Sequence, residues 1–176
     1  MLRKGTIFLL ALVAVLLIGS GRSPGFQDEG TVRIGQMEVL SGPFAEPGTE
    51  ATFISDFAVK EINAMGGVKI DGKMVKIDKR NNDEACNPEQ GINVTRKMAN
   101  EDKVLVIVGP SCSSVAEPVF GLLQKKLDDA SDIGMQVTIF TDIATKFGLE
   151  RISPWVKRNT GNEKVMYEEV FGQMNK

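Results

Sequence analysis

Val104-Leu105-Val106-Ile107-Val108-Gly109-Pro110-Ser111-Cys112-Ser113-Ser114 is the stretch that decides the fold. Five aliphatic residues in a row, Val104 to Val108, cannot alternate between a wet and a dry face. Such a run reads as a strand covered on both sides, which places it in the middle of a parallel sheet. Gly109-Pro110 ends it in a loop. A helix is predicted from Ser114, with Ser114 as its cap and Glu117 as the capping-box partner three residues on. Val119, Leu122, Leu123 and Leu127 supply the buried face of that helix. A strand, a short serine-rich loop and a helix N-terminus bring free backbone N–H groups and the positive end of a helix dipole together, which favours an anion. Ser111, Cys112 and Ser113 are therefore candidate contacts for a ligand carboxylate. The plainer alternative is that Ser114 only caps and Ser113 faces water.

Upstream of this stretch, Thr31 to Leu40 reads as a first strand, with Val32, Ile34 and Val39 among its apolar residues, closed by the turn Ser41-Gly42-Pro43. Glu50 to Met65 reads as a helix that buries Phe53, Ile54, Phe57, Ala58 and Ile62 and stops at Gly66-Gly67. Asp71-Gly72 joins Val68-Lys69-Ile70 to Met74–Ile77 as a hairpin whose second arm runs on to Arg80. After a polar loop, Asn81 to Asn87, a helix opens with Asn87 as cap, Pro88 at its first position and Gln90 where a capping box needs it. Downstream, Gln136 to Phe140 is a strand ending in Thr141-Asp142, Ile143 to Leu149 a short helix, and Trp155 to Arg158 a further strand. Thr160 and Glu163 form a capping-box pattern that opens a last helix.

Strands alternating with helices give an α/β fold, a Rossmann-like three-layer lobe with a mostly parallel sheet. Ligands of such sheets bind beyond the carboxyl ends of the strands. Four segments meet there: Leu40 to Pro43, Asn81 to Cys86, Gly109 to Ser114 and Thr141 to Thr145. Thr141, Asp142 and Thr145 could accept hydrogen bonds from an ammonium or amide group. Phe44 offers either an apolar contact to a ligand or a staple for the helix that follows.

Composition narrows the chemistry. The 176-residue chain is 42% apolar and 25% charged, with a formal charge of only -2. It offers no basic patch and few aromatics, so no nucleic-acid partner is expected. It has no histidine, which excludes Ser–His and Cys–His nucleophile pairs, and its two cysteines without a histidine make no zinc site. Neither a GxxxxGK[ST] loop nor a GxGxxG turn is present, and no cofactor or metal is expected. Arg3, Lys4, the apolar run Ile7–Ile18 and the small residues Gly19, Ser20 and Gly21 have the layout of a secretory signal, with cleavage after Gly21 or Gly25; an uncleaved anchor is the alternative. Behind an export signal, Cys86 and Cys112 read as one disulfide, with two separate buried thiols as the alternative.

Several segments together resemble the branched-chain amino acid and amide-binding receptors, the type I periplasmic binding proteins of ABC transporters. They are Ile34-Gly35 with Leu40-Ser41-Gly42-Pro43, Glu61-Ile62-Asn63-Ala64-Met65-Gly66-Gly67-Val68, Asn82-Asp83-Glu84-Ala85-Cys86-Asn87-Pro88, Val108-Gly109-Pro110-Ser111-Cys112-Ser113-Ser114 and Arg158-Asn159-Thr160-Gly161. The resemblance implies that Cys86 and Cys112 are the family's disulfide pair. It implies that Ser113 and the main chain around Ser111 and Cys112 hold a ligand carboxylate, and that the loop Thr141 to Thr145 meets its ammonium group. Asp142 and Ile143 depart from the small residues usual there, so amides, urea and aromatic acids stand beside branched-chain amino acids as ligands. Family members have two lobes and the chain crosses between them near Asn159 to Gly161. Residues 1–25 are then a signal peptide, 26–158 the N-terminal lobe, and 159–176 the hinge and the start of a second lobe. With most of that second lobe absent from the sequence, the chain alone is expected to bind weakly or not at all. The resemblance further implies a non-enzymatic, monomeric, periplasmic capture protein serving an ABC permease and ATPase at the inner membrane. A sensor domain of the same fold is the alternative, and a flavodoxin-like enzyme domain a more distant one.

Overall fold

The computed structural model describes residues 26–28 and 30–174, so the predicted export signal lies outside the described residues. The elements follow as β1 (Phe26–Asp28), β2 (Thr31–Glu38), α1 (Ala45–Ala64), β3 (Val68–Ile70), β4 (Lys73–Asp83), α2 (Pro88–Asn100), β5 (Val106–Val108), α3 (Ser113–Gly121), β6 (Thr138–Thr141), β7 (Val156–Arg158) and α4 (Glu163–Met174). They build one sheet in the order β3-β4-β2-β5-β6-β7, with β1 antiparallel to β2. Strands β4, β2, β5, β6 and β7 are parallel, and β3 is the antiparallel hairpin arm on β4. Of the aliphatic run, Val106–Val108 forms a strand inside the sheet, between β2 and β6; Val104 is buried ahead of the strand, whereas Leu105 is 44% exposed, so the expected five-residue strand covered on both faces is shortened to three.

The chain leaves β2 in one direction to reach β4 and then returns across β2 to reach β5. Right-handed crossovers of opposite direction put their helices on opposite faces. Helix α1 accordingly packs on β2 and β4, while α2 and α3 pack on each other across the sheet. The α2–α3 face is the hydrocarbon core: Met37 of β2, Met98 of α2, Ile107 of β5, Val115, Val119 and Phe120 of α3 and Ile139 of β6 are all fully buried. At the start of α2, Asn87 Oδ1 accepts the Gln90 N–H at 3.0 Å with Pro88 at the first position. The Gln90 side chain does not reach back to close a capping box; it donates to the Asp83 carbonyl at 2.7 Å.

Other sequence expectations are corrected. On α1, Phe53, Ile54, Phe57 and Ala58 are exposed and Ile62 is half-buried. The helix seats itself on the sheet through another stripe, Gly48, Thr52, Ser55, Val59 and Asn63. Gly48 lies so close to β2's exit that a Cβ there would stand 2.2 Å from the Val39 carbonyl oxygen. Asn63 accepts the Ile77 N–H and donates to the Ile77 carbonyl, both at 2.8 Å. Side-chain hydrogen bonds to the sheet outweigh the apolar periodicity, and the aromatic face turns out.

Helix α3 starts at Ser113, with Cys112 at the N-cap. Its cap has no side-chain hydrogen bond, because the sulfur of Cys112 is committed to a disulfide; Ser114 is exposed and Glu117 pairs with Lys146 instead. The helix ends at Gly121, and Leu127 is exposed. The chain there is a loop gathered by Asp132, whose carboxylate takes the N–H groups of Lys125, Lys126 and Gly134.

Residues 143–148 form no helix; one 3-10 turn follows at Leu149–Arg151. Their backbone groups are satisfied from outside: Arg158 donates to the Ala144 and Lys146 carbonyls, Glu163 N–H to the Thr145 carbonyl, and Lys146 N–H to Ser113 Oγ. Helix α4 is capped by Asn162, which accepts the Val165 N–H at 3.1 Å, and not by Thr160. No residue of α4 is buried.

Candidate ligand-binding site

The strand order reverses between β2 and β5, and the crevice beyond their carboxyl ends is where such sheets bind ligands. All four loop segments arrive there. Gly109, at φ +107, holds the exit of β5 against β2: a Cβ would stand 1.9 Å from the Met37 carbonyl oxygen, so only glycine fits. Cys86 and Cys112 are joined, with their Cα atoms 5.5 Å apart. The bond ties the segment after β4 to the cap of α3. Asp83 Oδ1 takes the N–H groups of Leu40 (2.9 Å) and Ala85 (2.8 Å), linking the segments after β2 and β4.

Ser111 is buried. Its hydroxyl donates to Glu38 and accepts the Val39 N–H at 3.2 Å. The Cys112 N–H, at the positive end of α3, donates to Glu84 Oε1 at 2.8 Å. Ser113 Oγ accepts the Lys146 N–H at 3.2 Å, drawing the segment after β6 onto α3. Asp142 is half-buried and its Oδ1 accepts the Ile143 N–H at 2.9 Å. Thr141 is fully buried and its Oγ1 has no hydrogen-bond partner. Thr145 is half-buried, with its carbonyl on the Glu163 N–H at 2.8 Å. Phe44 stands at the N-cap of α1, 62% exposed, so it staples nothing.

Two residues that sequence reasoning passed over dominate the site. Glu38 ends β2 and is wholly buried. Ser111 donates to its Oε2, and Gln36 Nε2 donates to its Oε1 at 3.1 Å. Behind Gln36, Ser55 Oγ donates to Gln36 Oε1 at 2.5 Å and Lys79 Nζ donates to Ser55 Oγ at 2.5 Å. Burial pushes the Glu38 carboxyl up to about 8, and the negative Asp142 adds to the rise. Burial leaves the Asp142 carboxyl above its ordinary value as well. Glu84, also wholly buried, is pushed up to about 7 by burial, against the pull of the Cys112 N–H. Its Oε2 has no partner. A signal for Glu38 exists in the sequence. It shares the parity of Val32, Ile34 and Gln36 in a strand whose neighbours on both sides are parallel strands.

The Glu84 carboxylate and the sulfurs of Cys86 and Cys112 lie within 4.8 Å of one another. Bonded sulfurs offer no thiolate, so this trio provides one metal-ligating group only. An open groove elsewhere, along the outside of α1, is lined by Thr49, Glu50, Phe53 and Ile54 and includes none of the crevice residues.

Comparison with known proteins agrees with the architecture. The sequence model of the family described as periplasmic binding protein matches residues 31–127. The chain is 31% identical over 115 residues to the Leu/Ile/Val/Thr-binding protein of Salmonella typhimurium, a match covering 65% of this chain and 28% of that one. It is 32% identical over 118 residues to the Leucine-specific-binding protein of the same organism, covering 67% of this chain and 29% of the relative. Among solved structures, the branched-chain amino acid transporter substrate binding protein LivJ of Streptococcus pneumoniae, in complex with isoleucine, superposes with a TM-score of 0.63 at 24% identity, over 82% of this chain and 39% of that one. A substrate-binding protein of an ABC transporter from Desulfitobacterium hafniense, in complex with Leu, gives 0.62 at 18% identity, over 82% and 38%. The chain therefore spans 28% and 29% of the length of these two curated relatives. The parallel order about β2, the loops gathered at its exit and the match over residues 31–127 make this chain a member of the periplasmic binding protein family.

Proposed function

We propose that this chain provides the N-terminal lobe of a solute-capture site serving an ABC importer, and that its ligand is a branched-chain amino acid or a related small molecule such as an amide, urea or an aromatic acid. The observation that carries the reading is the convergence of Ser111, Cys112, Ser113 and Asp142 at the switch point of a sheet with the family's topology. The relatives' names describe binding proteins, which supports capture over catalysis. In this reading Ser111, the Cys112 main chain and Ser113 face one end of the ligand, and Thr141, Asp142 and Thr145 face the other. The lobe runs from residue 26 to 158. Residues 159–176 are the hinge and the start of a second lobe, which accords with the exposure of every described side chain of α4. Export to the periplasm, a monomeric state, and a permease and ATPase as partners complete the reading.

Thermal unfolding against a panel of leucine, isoleucine, valine, short amides, urea and benzoates tests it. A ligand that binds only the folded state raises the midpoint by mass action. The expected result is a selective rise with one class, reduced in Ser113→Ala. No shift with any member of the panel, even at millimolar concentration, would overturn capture by this chain.

A further inference from the structure

Cys86 follows β4 and Cys112 caps α3, with their Cα atoms 5.5 Å apart. A third group is held at the same spot. A carboxylate oxygen of Glu84 and the two sulfurs all lie within 4.8 Å of one another. Contacts other than the sulfur bond fix this arrangement. The Glu84 N–H donates to the Glu38 carbonyl at 2.9 Å, and Glu84 Oε1 accepts the Cys112 N–H at 2.8 Å. Asp83 Oδ1 holds the Ala85 N–H at 2.8 Å, and Ser111, next to Cys112, is tied to Glu38. The trio is therefore positioned by the fold and not by the disulfide alone.

Glu84 is the unusual member. It is wholly buried, and its Oε2 has no hydrogen-bond partner. No lysine or arginine among the described residues forms an ion pair with it. Buried polar atoms are very seldom left unsatisfied, so this oxygen lacks a donor or a cation. Asp83 and Asp142 add negative charge around it, which favours the cation. The neighbouring sulfurs decide which cation. Bonded to each other they ligate nothing; as thiolates they select soft or borderline metals. Two thiolates and one carboxylate suit Zn2+, which holds four ligands in a tetrahedron, with sulfur at about 2.3 Å and oxygen at about 2.0–2.2 Å. Ligand atoms around such a centre stand about 3.5–3.8 Å from one another, inside the span of this trio. Cys112 lies at the positive end of α3, where a thiol ionises more readily. Both cysteines are half-buried, so a cation and a water as fourth ligand reach them from solvent.

We propose that Glu84, Cys86 and Cys112 form a redox-gated site for a thiophilic divalent cation of the zinc class, closed while the disulfide stands and opened when a dithiol reductant cleaves it. Opening is a two-electron exchange. The two thiols of the reductant become its own disulfide, and two electrons and two protons pass to the sulfurs of Cys86 and Cys112. The cation then takes both sulfurs as thiolates, the two thiol protons leave to solvent, and Glu84 Oε2 gains its missing partner. Metal and disulfide exclude each other, and either one ties the segment after β4 to the cap of α3. In a reducing medium, or before the disulfide has formed, the chain thereby keeps its staple in another chemical form. The site is independent of whether the crevice captures a solute.

Titration of the full chain with Zn2+ and Co2+ tests this, after reduction with a phosphine, since a dithiol would itself chelate the metal. The reduced chain is expected to bind one ion, with a Kd for Zn2+ of about 1 μM or tighter. Co2+ should give the thiolate-to-metal charge-transfer band and the intense visible bands of a tetrahedral site. The oxidised chain should bind at least about a hundredfold more weakly, because it offers no thiolate. Glu84→Gln keeps an acceptor for the Cys112 N–H and should lose at least about tenfold in Zn2+ affinity once reduced. Difference infrared spectra of the wild type read the same ligand without a variant: one carboxyl should become a metal-bound carboxylate on Zn2+ addition. If reduction unfolds the chain, saturating Zn2+ should restore a cooperative thermal transition. Any one of four results overturns the proposal and leaves the capture function standing: no metal bound after reduction, equal binding before it, no carboxylate change, or a reduced chain that Zn2+ leaves unfolded. Glu84→Gln binding Zn2+ as tightly as the wild type overturns it too.

Discussion

The two faces of the central strand live in different media. On one, Met37 enters hydrocarbon made by Met98, Ile107 and the apolar side of α3. On the other, Gln36 and Glu38 enter a chain of hydrogen bonds that runs through Ser55 to Lys79, under a helix whose aromatic residues point away. Successive residues of one strand therefore answer to different rules. The first face is held by area and packing density. The second is held by satisfied polar groups, which contribute geometry more than stability. Hydrocarbon packing and the polar groups of the candidate site are separated across the thickness of a single sheet.

Deleting the same aromatic ring on either side is the direct way to break that contrast. Phe120→Ala, on the hydrocarbon face, should lower unfolding free energy by about 3–5 kcal/mol in urea denaturation. The polar face should reveal itself through pH. Glu38 and Glu84 have carboxyls raised above their ordinary value of 4.5, to about 8 and about 7. The folded chain then binds more protons than the unfolded one across that window. Stability should be greatest below about pH 4.5 as far as these two groups decide it, and should fall by several kcal/mol as pH rises to 8. Glu38→Gln should flatten the upper part of that fall; a slope of the opposite sign would mean the carboxyls are ionised and paired. The smallest effect is expected for Phe57→Ser, on a side chain 59% exposed, at about 0.5 kcal/mol or less. A Phe57 loss matching that of Phe120 would show that something covers α1 in solution.

The same division explains what the sequence disclosed. Where local pattern settles the structure, it was legible: Val106–Val108 of the aliphatic run, the cap Asn87-Pro88 and the Asp71-Gly72 hairpin all stand where their residues predict. On α1 the apolar spacing of Phe53, Ile54 and Phe57 is as regular as on any buried helix, yet Gly48, Ser55 and Asn63 choose the side that meets the sheet. Periodicity cannot weigh a backbone approach against an aromatic ring. The loop residues of the candidate site were located because strand ends are predictable. Their partners were not, since Glu38 and Glu84 act through burial that no local pattern encodes. The 143–149 helix failed for a related reason: its carbonyls are claimed by Arg158, at the far end of β7.

The disulfide joins segments that leave the two strands flanking β2, so it passes over the exit of β2 as a lintel passes over a doorway. With Cys86 and Cys112 fixed to each other, β4 and β5 cannot splay. The 141–145 segment after β6, where Asp142 stands, lies outside that tie. Amide exchange there should outpace exchange around Cys112.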